Sequence, residues 1–280
     1  MTKMAPPGVL FVVATPLGNL EDLSPRAVRT LRSVRWVACE DTRRTGHLLH
    51  AHGLGTPTIS YHEHNEAART KELVAKLLAG ASVALVCDAG TPGISDPGER
   101  LVAAARDADI PVIPIPGPSA AITALSASGL PTSRFAFVGF LPSRARDRRR
   151  VLEELCDRTE TLVLYESPMR ITATLADALL AWGDRPAFLC REATKLHEEY
   201  VRAPLSKLYE TLVTRGTIRG EIVLVVGGAP VAKPADAGVD AVELLRQLKA
   251  QGLAPRAAAR EAARLTGRPA RDLYRLLLDL

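Results

Sequence analysis

The chain is poor in aromatic residues. Phe, Trp and Tyr make up 4% of its 280 residues, which argues against extensive base stacking as a mode of recognition. Cysteine is scarce and scattered. Cys39, Cys87, Cys156 and Cys190 form no CxxC pair. Three of them lie in or beside apolar strand-like runs, where cysteine acts as a small hydrophobe. The pattern fits a reducing cytoplasm, with neither a disulfide framework nor a zinc site. No apolar run approaches the roughly 20 residues that a membrane span needs. The apolar part of the first 16 residues is too short and strand-like for a signal peptide. GxxxxGK[ST] is absent, so there is no P-loop. GxGxxG does not follow the first strand-like run, which argues against an ordinary dinucleotide Rossmann site. The PCxxC of a zinc deaminase is missing as well.

What is present reads as a globular α/β chain, 47% hydrophobic and 24% charged, of a length that suits roughly two domains. Net charge is +5, and its distribution says more than its size. Residues 1–118 carry 12 basic and 12 acidic side chains, residues 119–232 carry 15 and 13, and residues 233–280 carry 9 and 6. The excess grows toward the C-terminus, a mild bias that nucleic-acid binding shares with many other functions.

Apolar runs alternate with helical spacing through the first part. Strands are expected at 9–14, 34–39, 58–61, 83–87 and 110–115. Helices are expected after Ser24-Pro25, over 66–79 with Gly80 as the stop, over 99–109, and from Ser119 to Gly129. Ser24 and Pro25 read as N-cap and first helical residue. This alternation implies a mostly parallel sheet. The grain changes near residue 135. Strands at 135–140, 161–165, 187–191, 198–202 and 221–227 are expected, with helices near 143, over 169–182 and over 205–214. No helix separates 187–191 from 198–202, so those strands should pair antiparallel in a mixed sheet. Residues 227–238 have a linker composition. Helices over 239–251, 254–265 and 269–280 follow. They fit a small helix-turn-helix-like module, in which Arg246, Lys249, Arg256, Arg260, Arg264, Arg268, Arg271 and Arg275 outnumber the anions of that same span, Glu261 and Asp272. The expected organisation is an N-terminal α/β domain at 1–118, a mixed-sheet domain at 119–232 and a helical module at 238–280.

The stretch VALVCDAGTPGISDPG at 83–98 organises the rest. A buried strand breaks into a loop of glycines and prolines, with Asp88 at the strand's carboxyl end, where open α/β sheets bind ligands. Similar strand-end loops recur: TPLGN at 15–19, EDTRRT at 40–45, PGPS at 116–119, YESP at 165–168 and REATK at 191–195. Most are too poor in cations to hold a polyphosphate. They suit a small ligand bearing hydroxyls, amines and positive charge. His62-x-His64 is half of a metal-site spacing without supporting ligands, so both histidines read as surface or substrate-facing.

The ordered series VATPLGNLEDLS, CEDTRRTGHLL, SYHEHNE, VCDAGTPGISDPG, PIPGPSAAITALSASGLP, FVGFLP, YESPMR, REATK and RGEIVLVV resembles the small-subunit (16S) ribosomal RNA cytidine 2′-O-methyltransferases of the tetrapyrrole methylase superfamily. The match covers about residues 8–228, with minor departures at Cys87 and Ile94. The helical tail resembles that family's C-terminal module. The resemblance implies two α/β domains with S-adenosylmethionine folded in the cleft between them. It also implies a cytoplasmic homodimer with no metal and no membrane, acting on ribosomal RNA or the assembled small subunit.

On this resemblance Pro16, Leu17, Gly18, Asp88, Gly90, Thr91, Ser119, Ala120, Tyr165 and Glu192 would surround the cofactor. Asp88 would accept hydrogen bonds and attract the sulfonium charge. The helix start at Ser119 would hold the methionine carboxylate. Arg43, Arg44, His62, His64, Arg144, Arg148 and Lys195 would meet RNA phosphates. A ribose hydroxyl is a poor acid, so a proton acceptor helps. Asp41, Glu40 and Glu166 are the candidates, in that order, with pairing to Arg43, Arg44 or Arg170 as their alternative role. A relative that methylates a corrin or siroheme precursor is the other functional reading, against which the arginine-rich segments and the basic tail speak.

Overall fold

The computed structural model describes residues 6–230, 241–266 and 268–278. The chain divides into two compact units, Met1–Gly227 and Gly228–Leu280.

The first unit opens with β1 (Leu10–Val13), α1 (Pro25–Ser33), β2 (Trp36–Cys39), α2 (Thr42–Ala51), β3 (Thr58–Ser60), α3 (Glu66–Leu78), β4 (Val83–Leu85), α4 (Glu99–Asp107) and β5 (Val112–Ile115). These strands form one sheet, β3-β2-β4-β1-β5, in which every pairing is parallel. A parallel sheet needs helices on both faces, and the side-chain alternation supplies an apolar surface to each. Leu10, Ala38, Val83 and Leu85 pack against Leu73, Leu77 and Leu101. Val13, Val37, Cys39 and Ala84 pack against Ala27, Leu31 and Leu49. Ser24 caps α1 as expected, accepting the Ala27 N–H at 3.1 Å, with Pro25 at the first helical position. Residues 42–45, expected to lie in a strand-end loop, instead open helix α2, whose N-cap is Asp41.

The second half of this unit adds α5 (Ala120–Ala127), β6 (Phe135–Phe140), α6 (Ala145–Glu154), β7 (Thr161–Glu166), α7 (Ile171–Trp182), β8 (Pro186–Arg191), β9 (Glu199–Pro204), α8 (Leu205–Arg215) and β10 (Ile222–Val226). The sheet order is β6-β7-β10-β8-β9. β6 and β7 run parallel, and the remaining pairs are antiparallel. The expected mixed sheet is therefore present, including antiparallel β8 and β9. Leu162, Leu164, Leu189 and Leu224 face Leu152, Ile171, Leu175, Leu205 and Leu208 on one side. On the other, Val163, Phe188, Cys190, Val223 and Val225 pack with Ala121, Ala124 and Leu125 of α5 and with Leu17 from the loop after β1. A residue from the first sheet's connections thus completes the second sheet's core.

The second unit is three helices, α9 (Ala241–Ala250), α10 (Pro255–Thr266) and α11 (Ala270–Leu278). Their apolar stripes meet through Leu245, Leu248, Ala258, Ala262, Leu273 and Leu277. The expected module start at 238, the helix start at Val239 and the ends at 279–280 lie outside the described residues.

Candidate functional site

The carboxyl ends of β1 and β4 lie side by side in the parallel sheet, and the loops that leave them are stitched together. The Thr15 N–H donates to the Gly90 carbonyl at 2.8 Å, and the Gly90 N–H to the Thr15 carbonyl at 3.0 Å. The Thr15 hydroxyl donates to the Cys87 carbonyl at 3.0 Å. Gly90 has φ +86°, and a Cβ there would lie 3.4 Å from Leu17 Cδ2. The left-handed φ therefore favours glycine here, while the contact with Leu17 would be an ordinary one. Thr91 Oγ1 donates to the Pro118 carbonyl at 3.0 Å, which ties the loop to the start of α5. Ser119 occupies the N-cap of α5 but makes no side-chain cap bond. From the second sheet, the Tyr165 hydroxyl oxygen accepts the Ala121 N–H at 3.2 Å. Phe137 and Phe140 hold the Tyr165 ring edge-on, with centroids 5.0 and 5.5 Å away.

These contacts enclose a cleft of about 340 Å³, within the range of roughly 300–1,000 Å³ typical of small-molecule sites. Leu17, Asp88, Gly90, Thr91, Ser119, Ala120 and Tyr165 all line it, and Arg44 and Glu166 reach it too. Pro16, Gly18 and Glu192 are not among its lining residues. Pro16 is buried. Gly18 lies against the Lys195 side chain, which would clash with an added Cβ. Glu192 has φ +53° and anchors its own loop: it accepts the Glu221 N–H at 2.9 Å and pairs with Lys195 at 2.7 Å.

Asp88 accepts the Asp41 N–H at 3.1 Å and pairs with Arg44 at 3.2 Å. Asp41 itself caps α2, accepting the Arg43 N–H at 2.8 Å, and pairs with the Arg43 guanidinium at 2.9 Å. Those bonds hold its carboxyl well below the usual carboxylate range, which makes it a feeble proton acceptor. Glu166 is enclosed: it accepts the Ser167 N–H at 2.7 Å and the Thr174 hydroxyl at 2.6 Å, and it pairs with Arg170 at 2.9 Å. For Asp41 and Glu166 the alternative of arginine pairing is what the structure places. Glu40 is half-buried beside the cleft but does not line it. Its carboxyl is raised, first by burial and then by the Asp88 charge.

The cations divide in the same way. Arg43 and Arg44 leave their side chains 87% and 69% exposed despite their ion pairs. Arg144 is exposed at the N-cap of α6. His64 is exposed, while half-buried His62 bonds Asn65 at 3.1 Å. Two expected phosphate contacts need correction. Arg148 is buried and paired with Asp177 at 2.6 Å. Lys195 is held between Glu192 and Glu221, at 2.7 and 3.2 Å. Arg43 and Arg44 are paired too, but their exposed side chains can turn toward a phosphate, whereas Arg148 and Lys195 are only 6% and 28% exposed.

Asp96, Phe140 and Glu221, which are not among the residues expected from the sequence, also line the cleft. Phe140 and Glu221 sit at strand ends of the second sheet, and Asp96 lies within the motif already singled out. Its carboxyl is pushed up to about 6. Burial is the main cause, opposed by a bond with the Cys87 thiol and reinforced by the charges of Glu40, Asp88 and Glu221. Burial also raises the Cys87 thiol and the Tyr165 hydroxyl. Among the described residues no cluster of His, Cys, Asp or Glu is placed to hold a metal ion, and no helix is long and apolar enough to cross a membrane. Chemically, the cleft offers apolar walls, carboxylates and an uncapped helix start, which suits an organic cation that also carries a carboxylate.

Residues 9–209 match the family described as Tetrapyrrole (Corrin/Porphyrin) Methylases. A protein of Synechocystis sp. named ribosomal RNA small subunit methyltransferase I is 49% identical over 275 residues, covering 98% of each chain. Proteins of the same name from Mesorhizobium japonicum and Halalkalibacterium halodurans are 46% and 44% identical, covering 97% and 96% of this chain and 92% and 94% of theirs. The crystal structure of uroporphyrin-III-C-methyltransferase from Thermus thermophilus superposes with a TM-score of 0.56 at 25% identity, over 79% of this chain and 94% of that one. A cobalt precorrin-4 methyltransferase shares the fold, with a TM-score of 0.58 at 16% identity over 78% and 94% of the two chains.

Proposed function

We propose, since the chain belongs to the tetrapyrrole (corrin/porphyrin) methylase family, that it transfers the methyl group of S-adenosylmethionine to a cytidine ribose 2′-hydroxyl in small-subunit ribosomal RNA. The cleft carries this reading: a pocket of about 340 Å³ at the strand ends, with Asp88 on one wall and Arg44 beside it. The near full-length relatives named as ribosomal RNA small subunit methyltransferases support the choice of RNA. So do Arg43, Arg44 and Arg144, which are exposed.

S-adenosylmethionine supplies a methyl group already activated by a positively charged sulfur. The residues present fit such a donor. Asp88 accepts its hydroxyl or amine hydrogen bonds and balances its charge. Gly90 and Thr91 line the space it would occupy and offer their backbone groups to it. Ser119 and Ala120 present the uncapped start of α5 to its carboxylate. Leu17, Ile94 and Phe140 exclude water from its apolar parts. A donor held by these residues would be positioned for in-line displacement by the hydroxyl, and well-oriented intramolecular reactions reach effective molarities of about 10⁵–10⁸ M. The cleft lies between lobes at 1–118 and 119–232, and the helical module from 238 contributes its cations to the RNA. The chain works in the cytoplasm as a homodimer.

A methylation assay with labelled S-adenosylmethionine tests the reading, with assembled small subunits, free ribosomal RNA and tetrapyrrole precursors offered separately. Label is expected on RNA, at a position that resists alkaline hydrolysis. Label on a precursor and none on RNA sinks it. Arg43→Ala is expected to raise the KM for RNA several-fold and to flatten the salt dependence by about one unit of slope, as loss of one phosphate contact does. Its affinity for S-adenosylmethionine should match that of the unaltered chain in calorimetry, because Arg43 does not line the cleft.

A further inference from the structure

We infer that Asp96 is the proton acceptor for the target hydroxyl, a role that rests on the methyl-transfer reading above. Four carboxyls line the cleft: Asp88, Asp96, Glu166 and Glu221. Three are committed to cations. Asp88 pairs with Arg44, Glu166 with Arg170, and Glu221 with Lys195. Among the described residues no Lys, Arg or His side chain lies within ion-pair distance of Asp96. A carboxylate without a cationic partner keeps its basicity, and basicity is what an acceptor needs.

The loop also fixes where this carboxyl points. Ser95 has φ +62°, a conformation that a non-glycine residue keeps only when its surroundings impose it. It packs over the second sheet at Gly139, where an added Cβ would lie 3.1 Å from Ser95 Oγ. Asp96 precedes Pro97, which biases it to extended backbone. The Gly98 N–H donates to Glu66 Oε1 at 3.1 Å, pinning the far end. Asp96 lies on the wall shared by the cleft and an adjoining groove lined by Glu63, Glu66, Glu99 and Arg100. An accepted proton has a route to solvent through that groove. Glu40, Asp88 and Glu221 face Asp96 as like charges, the Cys87 thiol bonds it, and Arg44 and Tyr165 share the cleft. Together with burial these surroundings put its carboxyl at about 6, near the optimum for proton transfer close to neutral pH. In the step, the oxygen–methyl bond forms as the methyl–sulfur bond breaks. The electron pair of that bond stays on sulfur, and the hydroxyl proton passes to the Asp96 carboxylate.

The test is Asp96→Asn, with Asp96→Glu beside it, assayed on ribosomal RNA across pH. For the unaltered chain kcat should rise with pH through a midpoint near 6 and then level off. Asp96→Asn should lower kcat at least about 100-fold and remove that limb. Its S-adenosylmethionine Kd should stay within about threefold of the unaltered value, and Asp96→Glu should regain part of the rate. A readout independent of activity comes from folding. An unfolded aspartate titrates at about 3.9, so the folded chain binds more protons between there and about 6. Stability therefore falls as pH rises through that window. Asp96→Asn should lack this fall and outlast the unaltered chain in denaturant at pH 8. The inference is overturned if Asp96→Asn keeps more than a tenth of kcat, or if it loses S-adenosylmethionine affinity rather than kcat. Failure of the unaltered chain to methylate RNA overturns the functional reading and this role with it.

Discussion

Asp88→Ala is expected to weaken S-adenosylmethionine binding by roughly 30- to 700-fold. The figure follows from about 2–4 kcal/mol for charge-assisted hydrogen bonds and the attraction of a nearby cation in a partly dry cleft. Two features of the structure push the effect toward the upper end. Asp88 also pairs with Arg44 at 3.2 Å, so its removal leaves an uncompensated guanidinium beside a cationic ligand. It also accepts the Asp41 N–H at 3.1 Å, so the turn that opens α2 loses its tie to the loop after β4. Asp88→Asn separates these contributions. The amide oxygen still accepts the Asp41 N–H while the charge is gone, so its affinity should fall between those of Asp88→Ala and the unaltered chain. Calorimetry that returned the same Kd for Asp88→Ala as for the unaltered chain would remove this carboxylate from the site.

The sheets and their pairing sense were legible because burial writes itself into the sequence at short range. β10 is IVLVV, buried at every position, and the absence of a helix between β8 and β9 left only antiparallel pairing. The strand-end loops were legible for the same reason: a buried run that breaks at Gly, Pro and Asp has few other places to lead. Helix α2 was hidden. Its sequence TRRTGHLLHA carries a central glycine and mostly polar residues, and it is helical because Thr45 and Leu49, four apart, bury one narrow stripe. Asp41, a candidate base by its place in the motif, is the N-cap of that helix. Partners in ion pairs were illegible altogether. Arg148 stands in a run of arginines that reads as a basic surface, and nothing local shows that the carboxylate that neutralises it comes 29 positions later. Lys195 and Glu221 are further examples, set side by side only by the antiparallel return of β10 beside β8. Asp96 was within view, but its lack of a cation is a property of the cleft and not of the motif.

Asp177→Ala is expected to destabilise the first unit by about 3–5 kcal/mol, the usual cost of stripping one partner from a buried ion pair. Arg148 and Asp177 are only 6% and 4% exposed. Arg148 Nε donates to Asp177 Oδ2 at 2.8 Å, and its Nη1 donates to the Ser143 carbonyl at 3.3 Å. Arg149 adds a bond to the other carboxylate oxygen at 2.6 Å, but its side chain is 59% exposed and regains water when the carboxylate goes. Arg148 cannot, so the penalty falls on it. The double variant Arg148→Met, Asp177→Leu removes both charges and should recover most of the loss, because the desolvation that the pair had to offset disappears with it. Denaturant midpoints of the unaltered chain, the single variant and the double variant measure this directly. Neither residue lines the cleft, so S-adenosylmethionine affinity of the folded single variant should be unchanged. A single variant as stable as the unaltered chain would mean that Arg148 finds water or another acceptor, and would reopen its availability to RNA.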